Sequence, residues 1–177
     1  MIMEYYLIKQ CVVNPIKPLF VQPEPYKYKL SKEEFEKIPD VSLGYYEYSQ
    51  ETELPAIMYH PTFMVNQKIK KVIEMYDEAV CFKALTILPN DFDKVNEASI
   101  TYGIPYLRKY DCIHEDSIIM PEGTIKKLVI DHKKIPNADI FQIKNIVQNK
   151  ILVSLRMAES ISRRNVYGVE FERVEMR

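Results

Sequence analysis

The pattern of apolar and polar residues along the chain predicts two main helices. The apolar face of the first is formed by Ile69, Val72, Ile73 and Tyr76. These positions follow the i, i+3, i+4, i+7 spacing of an amphipathic helix, and lysines occupy the other faces. The second helix follows Ser154, a residue type that caps helix N-termini. We therefore predict helices over about 66–77 and 154–165.

The rest of the chain is rich in β-branched and aromatic residues, which favour strands. The predicted strands are 4–13, 45–49, 56–59, 79–88, 99–112, 124–130, 140–143 and 166–171. Pro105 lies within the fifth of these strands and must therefore be at a sheet edge or an irregularity. The segment around Asp91 and Asp93 is predicted to be an acidic loop.

Local signals near the N-terminus predict a less regular region. Four prolines, Pro15, Pro18, Pro23 and Pro25, favour an extended connection with little regular pairing. A capping box formed by Ser31 and Glu34 starts a short helix that ends at about residue 38. Asn165 fits a left-handed position after the last helix.

The order of these elements favours an α+β fold over alternating βαβ units. We expect a mostly antiparallel sheet with the two main helices and a less regular N-terminal lobe. The length of 177 residues suits a single domain, 1–177. Within it, we expect a lobe of strands and loops over 1–60 and an α+β core over 61–177.

Composition narrows the class of function. The chain has 24 Lys and Arg against 25 Asp and Glu, so its overall charge does not suggest a nucleic-acid or membrane partner. With only four glycines it contains neither G-x-G-x-x-G nor a P-loop, and we predict no bound cofactor. Three widely spaced cysteines suit a reducing compartment, and the N-terminus lacks the form of a signal peptide. The expected location is the cytoplasm.

Residues 109–117, KYDCIHEDS, contain the densest group of candidate ligands and proton carriers. In a strand, alternate residues point to opposite faces, so Cys112 and His114 would lie on one face and Asp111 and Glu115 on the other. Two ligands are too few for zinc, which needs three or four from the protein. Neighbours at i, i+2 also project in parallel, which is unsuitable for a Cys–His catalytic pair. We predict no metal site and no catalytic residues here.

One charge asymmetry is a candidate for binding. Between residues 33 and 54 there are seven acids against the single Lys37, a net charge of −6 in a chain whose total is −1. Tyrosines are interleaved with these acids, and such a surface suits a basic protein partner. The predicted partner-binding residues are Tyr45, Tyr46, Glu47, Tyr48, Glu51 and Glu53. The same segment would equally fit a solvated charge run without a partner.

Several stretches together resemble bacterial immunity proteins of polymorphic toxin systems. They are EYYLIK at the start, the helix opened by Asn66, YLRKYDCIHEDS over 106–117, and IFQIKNIVQNKILVSLRMAESISRRNVYGVEF over 140–171. The nearest are the immunity families numbered eleven and forty-three, and the pair Asp111-Cys112 is similar to the family's usual "DC". The resemblance covers about 64–174 well. The family often has Asp at the position of His114 and Arg at that of Gln142.

This resemblance implies a small cytoplasmic protein, encoded beside a toxin, that binds the cognate toxin's catalytic domain and blocks it. It implies no catalytic role and identifies no binding residues. From the residues alone, two other functions stay open. One is a small cytoplasmic enzyme with an unrecognised site, for instance one that uses His114 with Cys112. The other is a structural interaction domain with a different partner.

Overall fold

The computed structural model describes residues 3–18 and 27–177, and the sheet content exceeds the helix content. The strands are β1 Tyr5–Gln10, β2 Val41–Tyr46, β3 Ile57–Met58, β4 Met64–Asn66, β5 Phe82–Pro89, β6 Ile100–Pro105, β7 Lys109–Tyr110, β8 Ile118–Ile119, β9 Ile125–Lys127, β10 Val129–Ile130, β11 Ile140–Ile143, β12 Ile151–Ser154, β13 Val169–Arg173 and β14 Glu175–Met176. The helices are α1 Lys32–Lys37, α2 Gln67–Tyr76, α3 Val95–Ala98 and α4 Leu155–Ser162, with 3₁₀ turns at Phe92–Lys94 and His132–Lys134. The predicted α+β class is confirmed.

Two five-stranded sheets form the framework. In sheet I the order is β13-β1-β12-β11-β7, with antiparallel pairing except between β11 and β7. In sheet II the order is β2-β5-β6-β4-β3, and β2 runs parallel to β5 at one end. Two small ribbons, β10 with β14 and β8 with β9, lie outside these sheets. Antiparallel pairing therefore predominates, as predicted.

The main helices begin where their capping residues predict. The Asn66 side chain accepts a hydrogen bond from the backbone of Ile69, and the Ser154 side chain accepts one from Met157. α4 is shorter than expected: Arg163 donates the last i→i−4 backbone bond, to Glu159, and Arg164 and Asn165 donate to residues three positions earlier. Asn165 has φ +47°, which confirms its left-handed position. The capping box at the start of α1 is also confirmed.

The described residues form three apolar clusters. In the first, α2 and α4 pack against side chains from both sheets. The second lies on one face of sheet II, where α1 contributes Phe35 beside Tyr46, Leu85 and Tyr102. The third lies on the other face of sheet I, around Phe141. On the second face of sheet II, α2 contacts β4 and β6. On the β2 side of this face the side chains of Val41, Leu43 and Tyr45 are exposed, and α3, which contacts β5, contributes Ala98 to the second cluster on the opposite face.

Several predicted strand boundaries were wrong. The strand expected at 45–49 is β2, which starts four residues earlier, at Val41. Pairing with β5 keeps Ser42 and Gly44 in this strand despite their weak strand propensity. The single strand expected over 99–112 is two: the chain leaves sheet II at Pro105 and joins sheet I at Lys109.

Other boundaries also needed correction. The strand expected over 124–130 divides into β9 and β10, which pair with different partners. The strand expected over 166–171 is β13, which starts at Val169 because Gly168 has φ +75° and turns the chain. The acidic loop is a 3₁₀ turn followed by α3. Pro23 and Pro25, part of the predicted extended connection, lie outside the described residues.

Strand pairing crosses the predicted division at residue 60. β1 lies between β12 and β13, and β2 pairs with β5. A lobe at 1–60 and a core at 61–177 remain a prediction from the sequence. Across residues 3–18 and 27–177, every helix is too short or too polar to cross a bilayer.

Candidate interaction surface

The reactive residues of KYDCIHEDS do not form a common site. Cys112 is completely buried beside sheet I, in the cluster around Phe141. Asp111 is exposed, and its carboxylate accepts a 2.8 Å hydrogen bond from the side chain of Asn145. The His114 imidazole accepts a 3.2 Å hydrogen bond from the backbone of Asp116 in the turn that follows. Within the described ranges, three or more His, Cys, Asp or Glu side chains nowhere converge as a metal site would require.

The two reactive groups on this stretch therefore have local structural contacts. Burial raises the pKa of the Cys112 thiol to about 11, so this thiol stays protonated at neutral pH. A thiol needs its thiolate form to act as a nucleophile or a metal ligand. This arrangement gives no support to an enzyme that would use Cys112 with His114.

Thiol titration tests this assignment. We expect Cys11 and Cys81, which are exposed, to react with a thiol reagent in the native protein between pH 7 and 9, and Cys112 to react only after unfolding. Peptide mapping of the labelled protein identifies the sites, and a Cys112→Ala chain is the control. Rapid native labelling of Cys112 would contradict its burial.

The acidic, Tyr-containing segment lies at the carboxyl end of the parallel pair formed by β2 and β5. The backbone carbonyl of Tyr46 accepts a 2.9 Å hydrogen bond from the backbone of Asn90. In turn, the Asn90 side chain accepts a 3.0 Å hydrogen bond from the backbone of Tyr48. These bonds bring the segment after β2 beside the turn after β5, so two acidic stretches that are distant in sequence lie together.

The neighbouring tyrosines of this segment differ in environment. Tyr46 is 1% exposed, and its hydroxyl donates a 2.9 Å hydrogen bond to the carbonyl of Ala98. Burial raises the pKa of Tyr46. Tyr45 points to the opposite face and is 36% exposed, and Tyr48 is half-buried against the second apolar cluster. Tyr45 and Tyr48 are therefore on the surface, whereas Tyr46 belongs to the core.

Glu53 is hydrogen-bonded to two other segments of the chain. Its carboxylate accepts hydrogen bonds from the backbone of Val13 at 2.9 Å and of Asn14 at 2.7 Å, and another from the Tyr167 hydroxyl. Its own backbone donates to Asn14 at 2.9 Å. Three segments far apart in the chain are joined at this residue. The carboxylate is thus already engaged within the chain.

Four acids near the carboxyl ends of β2 and β5 lack an ion pair within the described residues, although Asp91 accepts a 3.1 Å hydrogen bond from the backbone of Asp93. Glu47 and Glu51 are exposed, and so are Asp91 and Asp93 across the β2–β5 end. Within residues 3–18 and 27–177 these four carboxylates form no ion pair. The nearby Lys94 pairs with Glu97 at 3.1 Å, which raises the Lys94 pKa. The local field is therefore negative and suits a basic partner.

Exposed apolar side chains accompany these acids. Phe92, between Asp91 and Asp93, is 90% exposed, although Phe is among the residue types most often buried. Val41 and Leu43 on β2 are also exposed. We give the name β2 surface to the half-buried Tyr48 together with eight exposed residues, namely Val41, Leu43, Tyr45, Glu47, Glu51, Asp91, Phe92 and Asp93. Val41, Leu43 and Phe92 are not among the partner-binding residues predicted from the sequence. An aromatic residue between two acids was the only local signal for the last of these.

A comparison with models of known protein families identifies a match for the chain. A model of the immunity protein family Imm11 matches residues 11–176, nearly the whole chain. The resemblance seen in the sequence is thereby confirmed for the family numbered eleven. No curated protein matches the chain.

Proposed function

We propose that this chain, which belongs to the Imm11 immunity protein family, binds a cognate bacterial toxin domain in the cytoplasm and neutralises it by occlusion. The family match over residues 11–176 is the observation that carries this proposal. An immunity protein acts by binding and needs no chemistry of its own. The buried, protonated thiol of Cys112 is compatible with such a role.

The β2 surface supports binding to a basic toxin surface. It combines exposed aromatic side chains, which commonly anchor protein interfaces, with four carboxylates that have no ion pair among the described residues. Charges of this kind steer association and select the partner more than they add affinity. Enzyme domains that act on polyanions carry basic clefts, and an acidic inhibitor can cover such a cleft. The surface thus fits occlusion of a basic cleft.

Co-expression is the direct test. We expect the chain to restore growth to bacteria that express the toxin encoded beside its gene, and to purify with that toxin as a stable complex. Toxin expressed alone and toxin with an unrelated immunity protein are the controls. Growth arrest despite soluble wild-type chain, together with the absence of a complex, would refute the proposal.

Charge reversal then tests the β2 surface. The variant Glu47→Lys, Glu51→Lys, Asp93→Lys changes three exposed carboxylates that make no side-chain hydrogen bond or ion pair within the described residues. We expect toxin affinity to fall about 100-fold, because each reversal replaces an attraction by a repulsion of roughly 0.9 kcal/mol. Isothermal titration calorimetry at low salt measures this change, and rising salt should weaken wild-type binding.

A matched control separates the effect of charge on the β2 surface from the effect of the net charge of the chain. Glu78, Glu115 and Glu170 are also exposed acids without ion pairs in the described part of the chain, and they lie on other elements. The variant Glu78→Lys, Glu115→Lys, Glu170→Lys has the same net charge as the first variant, and we expect it to bind within about threefold of wild type. Equal losses in both variants would mean that the β2 surface is not the docking face.

A further inference from the structure

The strands at the ends of the two five-stranded sheets differ in how they are protected. An edge strand presents unpaired backbone groups that can pair with another chain, and proteins usually limit this by shortness, charge or proline. β7 and β3 contain two residues each. β13 carries Glu170, Glu172 and Arg173. These three ends follow the usual pattern of protection.

β2 has none of these features. It contains six residues, VSLGYY, without a charge or a proline. The side chains of Val41, Leu43 and Tyr45 are 65%, 56% and 36% exposed on the face of sheet II that α2 contacts at β4 and β6. Among the described strands, β2 is therefore the end strand that is best suited to accept another strand.

The hydrogen bonds to β5 show which backbone groups of β2 point away from β5. The backbone of Ala84 donates to the carbonyl of Asp40 at 2.8 Å, and that of Asn90 donates to the carbonyl of Tyr46 at 2.9 Å. In a parallel pair the residues of a strand face the partner alternately. Ser42 and Gly44 therefore also face β5, whereas the N–H and C=O groups of Val41, Leu43 and Tyr45 point away from it. The residues with exposed apolar side chains are those with outward backbone groups.

We propose that β2 binds an extended segment of the toxin as an additional strand of sheet II. The backbone of this segment pairs with Val41, Leu43 and Tyr45, and its apolar side chains cover their side chains. Basic side chains beyond the carboxyl end of β2 face Glu47 and Asp93. This inference rests on the proposed function and specifies the mode of toxin recognition.

Charge selects a basic toxin segment over a second copy of this chain. A second copy paired with β2 through a two-fold axis would run antiparallel, so its own acids would lie at the opposite end of the strand and leave Glu47, Glu51, Asp91 and Asp93 without an opposite charge. A basic segment gains attraction from the same four carboxylates. A second exposed apolar group, Ile118, Ile119 and Met120 on the β8–β9 hairpin, has acids and lysines mixed around it in the sequence and no such excess of acids.

Amide hydrogen exchange tests the backbone pairing. In the free chain, we expect the amides of Ser42 and Gly44 to be protected and those of Val41, Leu43 and Tyr45 to exchange rapidly, because only the first two face β5. In the complex with the toxin encoded beside the gene, the latter three should become protected by at least about 100-fold. Residue-resolved NMR measures both states.

A proline variant provides the matched measurement. Leu43→Pro removes one outward N–H and no hydrogen bond to β5, a position where edge strands tolerate proline. Leu43→Ala removes more of the side chain than Leu43→Pro does and keeps the N–H, so a larger loss of affinity in Leu43→Pro reports the N–H. We expect toxin affinity to fall about fivefold in Leu43→Ala and about 50-fold in Leu43→Pro. Thermal unfolding of both variants shows whether the fold is intact.

The outcomes separate this inference from the proposed function. If the wild-type chain forms a complex but the three amides gain no protection, or Leu43→Pro binds like Leu43→Ala, the strand pairing is refuted and the immunity function stands. Absence of any wild-type complex refutes both. Protection of the three amides in the free chain would mean that the edge is already covered. A wild-type dimer that Leu43→Lys converts to a monomer would assign the edge to a second copy. Each of these last two results also overturns the proposal.

Discussion

Tyr46→Ala is expected to lower the free energy of unfolding by about 3–5 kcal/mol, the range for truncation of a large buried aromatic side chain. Tyr46 is among the largest fully buried side chains, and it packs in the cluster that contains Leu85, Ile87 and Tyr102. The variant leaves a cavity beneath sheet II. It also leaves the carbonyl of Ala98 without the hydroxyl that donates to it. Urea denaturation followed by circular dichroism measures the loss.

Tyr45, the neighbour of Tyr46 in the chain, provides the matched control. Tyr45 lies on the exposed face of the same strand, so Tyr45→Ala should lower the free energy of unfolding by less than about 1 kcal/mol. In a toxin-binding assay we expect the reverse order, because Tyr45 belongs to the β2 surface and Tyr46 does not. A Tyr45→Ala chain as unstable as Tyr46→Ala would contradict the alternation along β2.

Asp139→Ala is expected to lower the free energy of unfolding by about 2–4 kcal/mol. The Asp139 side chain is 4% exposed. Its carboxylate accepts hydrogen bonds from the Ser154 hydroxyl at 2.5 Å and from the Arg156 guanidinium at 2.5 and 2.6 Å. The Asp139 carbonyl also accepts from the backbone of Ser154 at 2.8 Å. The contact therefore holds the start of α4 against the residue that precedes β11.

The expected loss is below the full value for a buried ion pair. The Arg156 side chain is 58% exposed, so its guanidinium can return to water when the carboxylate is removed. The pair of Glu159 and Arg163 on the same helix, both exposed and 3.5 Å apart, is the control. Glu159→Ala should change stability by no more than about 0.5 kcal/mol. Chemical denaturation at pH 7 measures the free energy of unfolding of both variants. Equal losses would show that burial at Asp139 has no energetic consequence.

The helices could be predicted from the sequence because their signals are local. Asn66 and Ser154 cap within three residues of the groups that they bond, and the apolar face of α2 follows the helical period directly. Strand boundaries depend on partners that are distant in the chain. The position of β2 follows from pairing with β5 about 40 residues later, and no local pattern around Gly44 contains that information.

The candidate surface could be predicted only in part for the same reason. The excess of acids between residues 33 and 54 is visible in the sequence, and Glu47 and Glu51 are indeed exposed. Local sequence does not show that Glu53 is bonded to a segment 40 residues earlier and to Tyr167. Nor does it show that the turn with Phe92 lies at the same sheet end. Each of these facts requires the tertiary pairing.

The position of β1 in sheet I has a consequence for folding of the chain during its synthesis on the ribosome. β1 ends at Gln10, yet both of its neighbours, β12 and β13, come from the last 27 residues. At the usual speed of translation, roughly 10 to 30 seconds pass between the synthesis of β1 and that of β12 and β13. During this time Leu7 and Ile8 have no cover from sheet I. A chain released before β13 has emerged would leave β1 open on one side, a target for proteases and chaperones rather than a working protein.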